Sequence, residues 1–259
     1  MQKTHGFIIG LVLMVVGLVS PPAHADEMSF QGVNGVAYGG YFVSPYQAVD
    51  QTLGTTLQLY CLDFNHDVNF GEQWPANLYA MTQSNSVNYQ YGANNYANPI
   101  FVTDPNDPNF TIWDRYQAVA WLFSQEGPSP SGRALGVYEY AAWQLFLTTD
   151  NLAAYCDSLG TDAMGCHSSS YGSGIHDVSN GHTFQQDVDA ALAAAMNPAN
   201  YGSVDLSKWD VVTPIPAGQT NSVQEFLTPI TPVPEPSTVV PLVLSSLAGL
   251  IAYTRRRRG

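Results

Sequence analysis

Apolar and polar positions change their spacing several times along the chain, and each change marks a different kind of element. Phe7 to Val19 is an apolar run without charge. From Ser29 to about Val102 the pattern breaks into short stretches separated by Gly, Pro, Asn and Ser: Val36–Val43, Leu57–Phe64 with alternating sides, and Leu78–Met81. Short runs bounded by turn residues predict strands. The turn cluster from Thr103 to Asn109 closes this region, and the spacing then becomes helical. Trp113, Tyr116, Gln117, Ala120, Trp121 and Phe123 fit one helix that Gly127-Pro128 ends. Val137, Tyr138, Ala141, Ala142, Leu145 and Phe146 supply a core face for a second, over Ala134–Leu147. The two are near-copies, each with an amide or acid directly after Tyr (Gln117, Glu139) and a Trp five positions after it. Thr149–Leu159 predicts a third helix with Asp150 as N-cap, and Phe184–Met196 a fourth, amphipathic and Ala-rich, stopped by Asn197-Pro198. Trp209–Val212 and Ser222–Leu227 read as strands. A Pro-rich stretch from Thr228 reads as an extended tether.

The fold class expected is therefore α+β: a strand-rich domain with a helical layer or insert at about 112–160 and 184–197, between an N-terminal signal peptide and a C-terminal single membrane helix. Residues 1–25 form the signal peptide, 26–227 the exported domain, 228–237 the tether, and 238–259 the membrane helix with its Arg-rich tail. Lys3 and His5 precede the first apolar run, and Ala23-His24-Ala25 after it has the small-x-small pattern that signal peptidase accepts, so the mature chain is expected to begin at Asp26. At the other end, Thr238–Tyr253 contributes 16 uncharged residues, and Tyr253 with Arg255–Arg258 extends the span into the interface. Four arginines hold that end on the cytoplasmic side and leave the preceding chain outside.

Charge removes one class of partner. The whole chain carries −13, and the basic residues sit mostly at its ends; Asp26 to Pro232 keeps only Arg115, Arg133 and Lys208 against 20 acidic residues, a net of −17. Nothing there can displace counterions from phosphate, which excludes nucleic acid. Three cysteines enter an oxidising destination. Cys156 and Cys166 flank a turn-rich loop that a disulfide can close, which leaves Cys61 as the odd one, to be buried, free or chemically special.

Two resemblances follow from these residues. Val233-Pro234-Glu235-Pro236, a short apolar helix and Arg255, Arg256, Arg257 and Arg258 resemble the PEP-CTERM sorting segment, in that order. The resemblance implies cleavage by the membrane enzyme exosortase, a mature protein ending near Pro234 to Ser237, and an apolar helix that serves as a temporary handle. The second covers about Leu57 to Phe146. Tyr60-Cys61-Leu62-Asp63 followed by helices with Gln117 or Glu139 before Trp121 or Trp143 resembles the thioester domains of bacterial surface adhesins. In that family a Cys on an early strand and a Gln on a helix condense with loss of ammonia to an electrophile that captures amines. The resemblance implies Cys61 for the strand residue. The helix that corresponds best in order carries Glu139 where the amide belongs, so Gln117 is the remaining amide for a Cys61–Gln117 thioester.

The remaining motifs support less chemistry. Asp63, Asn65 and Asp67 alternate oxygen ligands as calcium loops do, but Val68 and Trp74 stand where an EF-hand needs Gly and Glu. Calcium there, or at Asp104 and Asp107, competes with plain turn chemistry. His167, His176 and His182 lie near Asp177 and Asp187 without helical metal-ligand spacing, so no metal site is assigned. No nucleophile-elbow motif is present and no catalytic residue is assigned. The expected protein is non-enzymatic and needs no cofactor, with calcium the one candidate ion. It is displayed at the cell surface or released into an exopolysaccharide matrix, with exosortase, signal peptidase, the membrane before processing and an extracellular polysaccharide or surface ligand as partners. A thioester-like adhesin is the alternative, and a secreted hydrolase the least supported.

Overall fold

The computed structural model describes residues 25–33, 37–38, 41–62, 64, 66–92, 110–127, 130–147, 178–216 and 223–230. In chain order it builds β1 (Asp26–Val33), a hairpin of β2 (Ala37–Tyr38) and β3 (Tyr41–Phe42), and then β4 (Tyr46–Asp50), β5 (Thr55–Cys61) and β6 (Gln73–Ala80). Helices α1 (Ile112–Ser124) and α2 (Gly132–Phe146) follow. Next come a second hairpin of β7 (Val178–Ser179) and β8 (His182–Thr183), helices α3 (Phe184–Ala195) and α4 (Pro198–Tyr201), and the last strands β9 (Trp209–Pro214) and β10 (Phe226–Pro229).

Six of these strands close an antiparallel barrel in the order β1-β4-β5-β10-β9-β6, with β6 pairing back onto β1. Closure leaves no strand edge open to other chains. The interior is identified by rings that touch across strands that are not neighbours. Tyr46 of β4 meets Phe226 of β10 at 6.0 Å, and Trp74 of β6 meets the same ring at 6.2 Å. Phe30 of β1 packs edge-on against Tyr46 at 5.8 Å. Alternation then sends Tyr60, Val211 and Leu227 to the outer face, where Tyr60 stacks on Phe123 of α1 at 4.7 Å. The barrel thus has two cores, one inside it and one between its outer face and the helices.

The α+β expectation holds at this level, a strand-rich barrel with a few helices against it. α1, α2 and α3 lie within two residues of the predicted helices. Three details differ. Within the stretch Val36–Val43, expected as one strand, Ala37 pairs with Phe42 and Tyr38 with Tyr41, so two short antiparallel strands stand where one was expected. β1 and β4 form where the pattern names no strand, and they pair with each other over Met28–Val33 and Tyr46–Asp50. The last strand runs through Thr228 and Pro229, which the sequence assigns to the tether, because both pair with β9. Pro229 sits at the strand end, where its missing N–H removes no central ladder bond. The third helix expected at Thr149–Leu159, the signal peptide through His24, and residues 231–259 lie outside the described residues. No described helix is long and apolar enough to cross a membrane.

Helix ends are specified locally. Thr111 and Asp114 form a capping box on α1, as Thr183 and Gln186 do on α3. Thr183→Ala removes one partner of the α3 box and is expected to lower stability by about 1 kcal/mol in a denaturant titration; an unchanged midpoint would show that the cap is redundant. α3 docks on α2 through an ion pair, Arg133 Nη2 to Asp187 Oδ2 at 2.6 Å, with the guanidinium over the Phe184 ring. Gly136 makes the close approach possible: a Cβ there would stand 3.0 Å from the Tyr38 ring and 3.3 Å from Phe184, which stack at 4.8 Å.

Candidate functional site

The Cys61 side chain points inward at the end of β5, where the register pairs it with Phe226, and α2 crosses that end of the barrel. The Trp143 indole N–H donates to Cys61 Sγ at 3.4 Å. Ser44 bridges the same strand to the helix: its Oγ accepts from the Cys61 backbone N–H at 2.9 Å, and its own N–H donates to Glu139 Oε2 at 3.1 Å. The carboxyl of Glu139 therefore lies one residue's width from Cys61, fully buried, with Oε1 lacking a hydrogen-bond partner among the described residues. Burial is the main force on it and pushes its pKa up to about 8, against the hydrogen bonds from Ser44 and Trp143 that pull it down. Nearby Glu126, at the end of α1, is raised to about 7, again chiefly by burial.

The pattern Glu139-x-x-Ala142-Trp143 thus delivers two groups to Cys61 because residues four apart lie on one helix face. Gln117 has the same place in the α1 copy, but α1 turns its buried face to the barrel's outer side. Its neighbour Tyr116 reaches Glu225 there, and Gln117 itself is half-buried. The groups gathered around the Cys61 thiol come from α2 and from Ser44. Chemically, a carboxyl at this helix position lacks the ammonia that an amide would release.

Beside this cluster a cleft of about 810 Å3 opens at the barrel end. Phe64 and Trp143, whose rings lie 5.0 Å apart, form part of its wall, and Tyr41 packs edge-on against Phe64 at 4.7 Å. Phe42 on the β2–β3 hairpin, Phe70 in the 69–72 turn and the barrel residues Phe30 and Tyr46 also line it, with Gln31, Gln47, Asp67 and Asn69 among its polar side chains. His66 also lines it, buried, with Nδ1 2.9 Å from Gln90 Nε2.

The other candidates fare as follows. Asp67 is exposed at the cleft, while Asp63, Asn65, Asp104 and Asp107 lie outside the described residues. His182 pairs with Asp187 at 3.2 Å, and His167, His176 and Asp177 lie outside. Among the described residues no three His, Cys, Asp or Glu side chains gather to hold a metal ion. Ala25 is exposed immediately before β1, whereas Ala23, the Cys156–Cys166 pair, the segment Val233–Pro236 and Arg255–Arg258 lie outside the described residues.

Two groups of residues escaped the sequence reading. Phe70 had a signal, a large ring inside the turn Asn69-Phe70-Gly71. Glu225 had none. Its buried carboxyl accepts from the Gln90 backbone N–H at 2.7 Å, from Thr213 Oγ1 at 2.6 Å and from the Tyr116 hydroxyl, joining β9, β10, the turn before residue 92 and α1.

No protein-family model matches the chain, and no curated protein matches it. Among solved structures, the fold is similar to the N-terminal thioester domain of the fibronectin-binding protein SfbI from Streptococcus pyogenes, at 11% sequence identity and a TM-score of 0.44, over 82% of this chain and 97% of that one.

Proposed function

We propose that this is an exported, non-enzymatic protein of the cell surface or the exopolysaccharide matrix, sorted and cleaved by exosortase. The observation that carries this reading is the C-terminal order Val233-Pro234-Glu235-Pro236, uncharged apolar stretch, Arg255–Arg258. The Ala23-His24-Ala25 site and the acidic, lysine-poor exported region support it. The test is the intact mass of the protein recovered from its native host. The expected mass begins at Asp26 and ends near Pro234 to Ser237. A chain that still ends at Gly259 would reduce the C-terminal segment to an ordinary anchor and remove exosortase from the account.

A second reading, an adhesin-like domain related to the thioester proteins, is favoured by the grouping of Cys61, Trp143 and Glu139. In this reading covalent capture is absent, because the helix position beside the thiol carries a carboxyl and not an amide. The same mass measurement addresses it. The expected chain has its full complement of ammonia and takes up no methylamine. A species lighter by one ammonia, lost again in Cys61→Ala and in Gln117→Ala, would restore the Cys61–Gln117 thioester as the functional centre.

A further inference from the structure

We propose that the cleft at the barrel end binds an uncharged polysaccharide, with Phe42 and Phe70 as the stacking platforms on its two rims; this deepens the reading of a non-catalytic surface or matrix protein. Water-facing rings are costly to keep. Phe70 is 80% exposed, Phe42 61% and Tyr41 37%, and all three line the same cleft. Scattered single exposed apolar residues are ordinary, but several aromatic rings converging on one concavity mark a contact surface.

Phe70 is also held in place. Asn69 donates from its backbone N and from Nδ2 to Glu72 Oε2 at 2.7 and 3.1 Å, and the Glu72 N–H returns to Asn69 O at 2.9 Å. Gly71 takes φ +79° and bonds to Phe30 O, and the Phe70 ring lies over Gly32, 3.6 Å from where a Cβ would stand. The turn thus holds the backbone that carries the ring before any ligand arrives, which lowers the ordering cost of binding. Across the cleft, Phe42 belongs to the hairpin that Tyr140 anchors by donating to Tyr38 O at 3.1 Å.

The chemistry of the lining selects the occupant. A pyranose ring offers a face of C–H groups that stacks on the negative face of an aromatic ring, and its hydroxyls both donate and accept. Gln31, Gln47, Asp67 and Asn69 supply amide and carboxylate partners at the same cleft. Among the described residues no Lys or Arg lines it, and Asp67 repels an anion, so a uronic-acid or phosphate-bearing polymer would surrender its hydration without a counter-charge.

The test uses the full-length protein in a detergent without a sugar headgroup. Migration is followed in native gels containing dextran, galactomannan or hydroxyethyl cellulose as neutral probes and alginate as the anionic one. The expected result is retardation by at least one neutral polymer and none by alginate. Phe42→Ala and Phe70→Ala are each expected to weaken it by about tenfold, while Phe70→Tyr retains it. Both alanine variants should melt as the parent does, since both rings are exposed. Retardation by no neutral polymer, retardation unaffected by either alanine variant, or retardation by alginate alone would overturn the assignment. So would self-association that the alanine variants abolish, which would make the rings a protein contact. The mass of the C-terminus reports on sorting alone, so either result can fail without the other.

Discussion

Glu225→Ala is expected to destabilise the domain by about 4 kcal/mol and to lower its melting temperature by roughly 10 °C. The fully buried carboxyl accepts from Gln90 N, Thr213 Oγ1 and Tyr116 Oη. Truncation to alanine strands all three donors, each at about 1–3 kcal/mol, with the sum reduced where the site relaxes or admits water. The loss is large against the roughly 5–15 kcal/mol that a domain has in total. Tyr116→Phe removes one donor and leaves the other two satisfied, but it also takes the acceptor from the Tyr91 N–H, so it should cost about 1–3 kcal/mol. In a double variant the two effects should not add, because both act on one network. Thermal melts of the three proteins decide it. If Glu225→Ala melts within about 2 °C of the parent, the network does not hold the barrel to α1.

Glu139 makes the opposite prediction, a side chain whose replacement stabilises. Its carboxyl titrates at about 8 in the folded protein and at 4.5 in an ordinary setting, because burial disfavours the charge. Below pH 4.5 both folded and unfolded chains hold the proton and there is no penalty. Between pH 4.5 and about 8 the unfolded chain releases it while the folded chain keeps it. Stability therefore falls as the pH rises, by on the order of 4 kcal/mol across the interval, and levels off above it. Glu139→Gln keeps the shape and an acceptor for the Ser44 N–H but cannot ionise. It should match the parent near pH 4.5 and exceed it at pH 8 and above. Glu126, raised for the same reason, adds a slope of the same sign to both proteins, and the difference also carries its repulsion with Glu139, which helps raise the Glu139 carboxyl. Urea titrations at several pH values read this difference directly. Parallel curves for parent and variant would mean that Glu139 is ionised in the fold.

Three of the described helices, α1, α2 and α3, were legible because their information is local. Apolar spacing marks the buried faces of α1, α2 and α3, and the caps Thr111, Ser131 and Thr183 lie within a turn of the residues they bind. Cys61 was legible as a strand residue at a strand end, and its burial matches the habit of its residue type. The resemblance to thioester domains also directed attention to α2, where Trp143 donates to Cys61 Sγ and Glu139 accepts from Ser44, whose hydroxyl bonds to the Cys61 backbone. Gln117 stands on the near-copied α1, whose Tyr116 turns to Glu225, and which of the two helices serves Cys61 is not written in either copy.

What only the tertiary structure decided is which distant residues share a space. Tyr116 and Gln90 meet Glu225 across 109 and 135 positions, and no pattern within a helix turn or a strand pair encodes that meeting. The same holds for the cleft, whose rims come from the β2–β3 hairpin and the 69–72 turn and whose wall includes a ring from α2. Even the barrel's closure depends on β1 finding both β4 and β6, a choice set by which faces can be buried together. The sequence by itself determined the periodic elements, the acidic charge of the region between the two ends and the signals expected at those ends. The fold decided the partners of Glu225, the setting of Glu139 and the placing of exposed rings around one cleft, because those depend on packing between segments far apart in the chain.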